Sequence, residues 1–271
     1  MGANDKAARG QQWWGDFKLS DDEWGHWQIG PLEIYASRQP TEWRFEWRVG
    51  SDPVDDTVLW EIVESTPGVN EEFNVCRYSF EVASETLRFT PLLADRPVVV
   101  RPDSPVYVPS AQRTVLYVTT AAWVEISSVS NSMTPMLQLP VYRPSDTWFG
   151  KNTRRGELCY ASMTNALGDY KQLALVSHRA ITAVEIVNRG KDPLLIEQLR
   201  VPVPALSLYV ADDGRLWTDG VHFEREEDES VATLEILATH EHTPAAKELL
   251  AKPRKPVERH SIVHAFSRLF G

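Results

Sequence analysis

Residues 42–49 read EWRFEWRV. Trp43, Phe45, Trp47 and Val49 alternate with Glu42, Arg44, Glu46 and Arg48. Successive side chains of a β-strand point to opposite faces, so this segment has one aromatic face and one charged face. Half-buried strands carry this pattern, and the aromatic stripe reads first as core. A stacking platform for sugars or bases, or a subunit interface, would use the same pattern.

Working outward, period-two runs recur at 27–36, 57–63, 73–82 and 86–90. They follow a Trp-rich entry, WWGDF and EWGHW, which sets residues 1–26 apart. Next comes PVVVRPDSPVYVP, two short β-branched runs fenced by Pro97, Pro102, Pro105 and Pro109. Proline donates no ladder hydrogen bond, so the runs are expected at strand ends, sheet edges or bulges. Residues 112–127, QRTVLYVTTAAWVEIS, read as a hairpin. The rhythm breaks at 131–146, where three prolines and turn residues predict a domain boundary. Strand patterns resume at 157–164, 180–188, 193–203 and 205–211, and DDGR at 212–215 is a tight-turn signal because Asp-Gly supplies positive φ angles. Many short strands with regular turn signals predict an all-β fold with two sandwich-like domains, at 27–142 and 143–239.

The chain has 271 residues, 42% of them hydrophobic and 24% charged, enough to bury a sizeable core. A formal charge of −10 speaks against nucleic-acid binding, which needs a basic surface to release phosphate counterions. Cys76 and Cys159 are the only cysteines and form no C-x-x-C pattern. The start carries no secretory pattern and no apolar run approaches the ~18 residues of a spanning helix. The expectation is a cytosolic protein with reduced thiols and no cofactor.

Chemistry-bearing groups are sparse. His240 and His242 in ATHEHTP have a spacing that places two ligands on one strand face, but no third ligand is marked nearby, and a solvated strand end is the simpler reading. Asp212, Asp213 and Asp219 form an acidic cluster of which the first two fit the turn without a catalytic role. No G-x-S-x-G elbow, H-E-x-x-H or phosphate-cradling glycine loop occurs. Between Gly150 and Gly156, the basic loop with Lys151, Asn152, Arg154 and Arg155 offers amides and guanidinium groups to an anion or acidic partner, or serves as a solvated connector.

TWFGKNTRRGELCY, with RPVVVRPDSPVYVP upstream and LSLYVADDGRLWTD downstream, resembles an uncharacterised prokaryotic family catalogued as domain of unknown function 432. The resemblance covers most of residues 25–225 in matching order. It implies a soluble protein of archaea and bacteria whose gene often lies beside one for a small-conductance mechanosensitive channel. It carries no catalytic residues across.

The segment 240–271 departs from the rest. AAKELLA reads as helical, KPRKP as a stiff basic linker, and Ile262, Val263, Phe266, Leu269 and Phe270 fall on one helical face. From residue 252 onward, Lys252, Arg254, Lys255, Arg259 and Arg268 stand against Glu258 alone. So short an amphipathic helix folds only against a surface: its own domain, a partner groove or a membrane. These readings together predict a non-enzymatic accessory protein acting through protein–protein contact. The expected partner is a mechanosensitive channel, docked by the tail, with a peripheral position at the inner membrane face. The alternative is a carbohydrate or polar small-molecule binding module, or a hydrolase, built on a Trp-lined cleft.

Overall fold

The computed structural model describes residues 12–65, 72–150, 156–163, 166–174, 176–225, 231–238, 241–244, 247–256 and 260–267. The chain is all-β: the helical pieces among the described residues are two three-residue 3-10 turns, Tyr170–Gln172 and Val203–Ala205. It divides into two compact units that are not consecutive in sequence. The first takes the chain up to Leu92 together with Ala122–Tyr142 and Val176–His178, and the second takes the remainder. The expected division at 27–142 and 143–239 differs from this, since residues 93–121 lie with the second unit.

In the first unit, Glu42–Val49 is an inner strand of a five-stranded antiparallel sheet. The order is Val58–Val63, Trp24–Ile29, Leu32–Gln39, Glu42–Val49, Asn74–Ser79. Trp43 and Phe45 are fully buried, as alternation demands, but the pattern breaks beyond them: Glu46 is buried, Trp47 half-buried and Val49 exposed. A four-stranded sheet, Gly15–Lys18, Thr86–Leu92, Trp123–Val129 and Met133–Pro140, supplies the opposing layer. The layers meet through aromatic rings: Phe17 sits edge-on to Trp27 at 5.5 Å and to Phe89 at 5.1 Å, and Trp27 stacks on Trp60 and Phe89 at 4.8 Å each. Each fully buried aromatic of this kind contributes roughly 1.5–3 kcal/mol. The aromatic stripe is therefore core. Trp13 closes the unit from the other end of the chain, its indole N–H donating to the Ser177 carbonyl at 3.1 Å.

The charged face of the same sheet pairs with itself. Arg44 meets Glu46 at 2.7 Å, and Arg48 spans Glu33 at 2.6 Å and Glu72 at 3.0 Å. His26 stacks on Tyr35 with 4.5 Å between centroids. Two expected elements differ here. Residues 27–36 are not one strand, because Gly30 at φ +52° and Pro31 turn the chain and Ile29 pairs back onto Leu32. Nor is 112–127 a hairpin. Gln112–Ala121 pairs with Arg179–Asn188 in the second unit, while Trp123–Val129 pairs with Thr86–Leu92 in the first. A single residue, Ala122, separates these two strands, and alanine at that point supplies no tight turn.

The second unit is built on an eight-stranded sheet around Arg179–Asn188. That strand pairs with Gln112–Ala121 on one side and with Leu216–Thr218 and Gly220–Arg225, in parallel, on the other. DDGR forms the expected turn: Leu208–Ala211 and Leu216–Thr218 pair across it, with Gly214 at φ +81°. A five-stranded sheet, Asp146–Phe149, Glu157–Met163, Val98–Arg101, Gln198–Val201 and Phe266–Ser267, meets the large sheet where Phe223 approaches Phe266 at 5.7 Å. Val98–Arg101 is the central strand of that sheet rather than an edge. Pro97 and Pro102 fall just outside it, so no ladder donor is lost.

The helical tail is overturned. Lys247–Ala251 is a strand paired with Leu208–Ala211, and His260–His264 pairs with Val231–Leu237. Phe266–Ser267 pairs with Gln198–Val201, and Phe266 is buried. Ile262 and Val263 thus lie in a sheet of their own chain, and Leu269 and Phe270 lie outside the described residues. A short apolar run fits helix and strand periods alike, and β-branched Ile and Val tip it to strand once Val231–Leu237 presents an edge to pair with.

Candidate functional site

The site begins with one face of the large sheet in the second unit. Alternation along Arg179–Asn188 puts Ile181, Ala183 and Glu185 on one face, beside Tyr117 from Gln112–Ala121 and Trp217 from Leu216–Thr218. Residues 166–174 cross this face, held by a backbone bridge between Leu167 and Tyr117. Leu173 packs into the cluster of Tyr117, Ile181, Ala183, Ala211 and Trp217. Tyr170 closes an aromatic group, edge-on to Tyr117 at 5.5 Å and to Trp217 at 5.2 Å.

Where this cover ends, a cleft of about 430 Å³ opens. Tyr117 and Tyr170 line it from the sheet and its cover, Asp212 and Asp213 from the DDGR turn, and Glu241, His242, Thr243 and Pro244 from the turn that follows Val231–Leu237. Burial raises the Tyr117 phenol above its usual range, with the charges of Tyr170 and Asp169 adding to it. Arg215 braces the rim: its guanidinium lies 5.8 Å from the Tyr170 ring and 3.5 Å from Asp213. At one end, Glu241 and His242 approach Glu185, so that an imidazole nitrogen and two carboxylate oxygens lie within 4.8 Å of one another. Glu185 is nearly buried, and His222 Nδ1 stands 3.0 Å from its Oε2.

A larger cleft, about 720 Å³, lies in the first unit around Glu33, Arg48, Asp52, Asp55 and Glu72. Arg48 bridges Glu33 and Glu72 there, while Asp52 and Asp55 accept the backbone N–H groups of Val54 and Thr57. The second-unit cleft instead combines aromatic faces with converging acids.

Of the residues singled out in the sequence, His242 joins the cleft, and Asp212 and Asp213 line it. Asp213 also accepts the Arg215 N–H at 3.0 Å, as a turn residue should. Asp219 does not join them: it is buried and accepts from Ser207 N at 2.6 Å and the Tyr209 hydroxyl at 2.8 Å. His240 and the loop residues Lys151, Asn152, Arg154 and Arg155 lie outside the described residues. Sequence reasoning missed Tyr117, Tyr170, Glu185 and Glu241. Glu185 had a signal, an acid in the middle of the apolar run AITAVEIVN, where burial demands a partner.

The architecture defines an all-β protein of two discontinuous units with an aromatic and acidic cleft on one sheet face. The chain belongs to the family described as protein of unknown function (DUF432), whose model matches residues 13–270. No curated protein and no solved structure matches it. Among the described residues, no helix is long and apolar enough to cross a membrane.

Proposed function

We propose that the protein binds a neutral polyhydroxylated small molecule, of the carbohydrate class, in the cleft of the second unit. The observation that carries this reading is the cleft wall, where Tyr117 and Tyr170 stand with Asp212, Asp213 and Glu241 around a space of about 430 Å³. That volume lies within the roughly 300–1,000 Å³ of small-molecule sites. A sugar presents an apolar C–H face, which suits an aromatic ring, and a rim of hydroxyl donors, which suits carboxylate acceptors. A docking helix has no part in the proposal, because residues 260–267 are strands of the body.

The test is calorimetric titration of the full chain with a panel of mono- and disaccharides. Binding by at least one member is expected, weakened at least tenfold by Tyr170→Ala and by Asp212→Ala. If no member binds, or both variants bind as the parent does, the reading is wrong.

A further inference from the structure

We propose that Glu185, Glu241 and His242 hold a divalent transition-metal cation at the end of this cleft. The inference deepens the cleft reading and rests on it for the ion's purpose, but the ion's binding is testable without any sugar.

The geometry comes from two distant pieces of chain. Glu185 projects from the central strand of the large sheet, and the turn carrying Glu241 and His242 brings both to it. The donor atoms, one imidazole nitrogen and two carboxylate oxygens, lie within 4.8 Å of one another. Bonds of ~2.0–2.2 Å at tetrahedral angles place donor atoms about 3.4 Å apart; His242 Nε2 and Glu241 Oε1 already lie 3.0 Å apart, so the closing needed is between their turn and Glu185. Two carboxylates this close repel unless a proton or a cation lies between them. The set of one nitrogen and two oxygens suits Zn²⁺ or Mn²⁺, since the imidazole favours these over Mg²⁺ and Ca²⁺.

The surroundings are those of a supported ligand. His222 Nδ1 stands 3.0 Å from Glu185 Oε2, and its Nε2 stands 3.7 Å from Glu224 Oε2. Glu224 is in turn paired with Arg189, whose hydrogen bond holds its carboxyl below the usual range. Ligating carboxylates are commonly oriented by a hydrogen bond of this kind to their second oxygen. Among the described residues, Arg113 opposes the ion, its Nη1 lying 3.6 Å from Glu185 Oε1. The Arg113 side chain is 70% exposed, so it can swing into water as the cation enters. Three protein ligands leave a coordination position open. Because Glu241 and His242 also line the cleft, that position faces the space assigned to the sugar, where paired hydroxyl oxygens are suitable ligands.

The experiment uses the untagged full chain, stripped with a chelator and titrated calorimetrically with Zn²⁺, Mn²⁺ and Mg²⁺ in the absence of sugar. One equivalent of Zn²⁺ or Mn²⁺ is expected to bind, with Mg²⁺ at least tenfold weaker. Glu185→Gln and His242→Ala should each weaken binding at least tenfold, His222→Gln about tenfold, and Arg113→Ala should tighten it. Glu241→Gln, on an exposed turn, covers the case in which Glu185→Gln fails to fold. Absence of a one-equivalent isotherm overturns the site, as does unchanged affinity in both Glu241→Gln and His242→Ala. A sugar panel that fails while the metal isotherm stands removes the sugar alone, and the converse removes the ion alone.

Discussion

Each unit carries a sheet with one polar face, and the two faces differ in how their charges are arranged. On the first, cations and anions alternate across neighbouring strands: Glu33 faces Arg48, and Arg44 lies beside Glu46. On the second, Glu185, Glu224 and Glu241 gather with His222 and His242, and the arginines that reach them, Arg113 and Arg189, are mostly exposed. An alternating lattice neutralises itself and asks for nothing more. On the second face, among the described residues, three carboxylates converge with two histidines and two exposed arginines instead of alternating. Position on a sheet face therefore separates charges that alternate from charges that converge, where charge count does not.

The largest effects should come from the aromatic cores beneath these faces. Trp43→Ala is expected to destabilise the first unit by roughly 3–5 kcal/mol, and Phe266→Ala the second by a similar amount. Thermal or denaturant unfolding followed by tryptophan fluorescence measures both. A Phe266→Ala protein as stable as the parent would return residues 260–267 to a peripheral role and break the comparison.

The cysteines sharpen the contrast at intermediate scale, with Cys76 in the first unit and Cys159 buried in the second. Burial, then the nearby charge of Glu157, pushes the Cys159 thiol up to about 11, while Cys76 is raised by burial alone. At pH 8 a thiol-reactive reagent should therefore label Cys76 at least tenfold faster, read by mass spectrometry of the tryptic peptides. Equal rates would mean that Cys159 is as accessible as the partly exposed Cys76.

The smallest effect belongs to the surface pairs of the first unit. Asp16 and Arg88 join neighbouring strands at 2.6 Å, and the Arg88 hydrogen bond holds the Asp16 carboxyl below its ordinary value of 3.8. A carboxyl with a lowered folded pKa contributes stability that is present above its unfolded pKa and lost as pH falls through the folded one. Arg88→Ala should thus cost at most about 1 kcal/mol near pH 7, and the gap to the parent should close below pH 4. A gap that persists at pH 2 would assign the effect to packing of the arginine stem.

Local signals were legible where local physics decides. EWRFEWRV announced its two faces, and DDGR its turn, because alternation and positive φ are properties of adjacent residues. Gly30-Pro31 was hidden by apolar residues running through the turn. AAKELLA has helix-forming residues, yet its described part, Lys247–Ala251, is a strand because Leu208–Ala211 offers it an edge. The cleft was illegible for a further reason: Tyr117, Tyr170, Asp212 and His242 are scattered along the chain, and long-range strand pairing, with the crossing of residues 166–174, unites them.

The discontinuity of the units also constrains how such a gene can change. The hydrogen bond from Trp13 to Ser177 joins residues 164 positions apart within one unit, while a stretch of the other unit, residues 93–121, is encoded between them. No single breakpoint in the coding sequence yields an intact unit, so recombination cannot trade one half for a foreign domain. Each unit is therefore inherited with the other, because the stretches that encode them are interleaved.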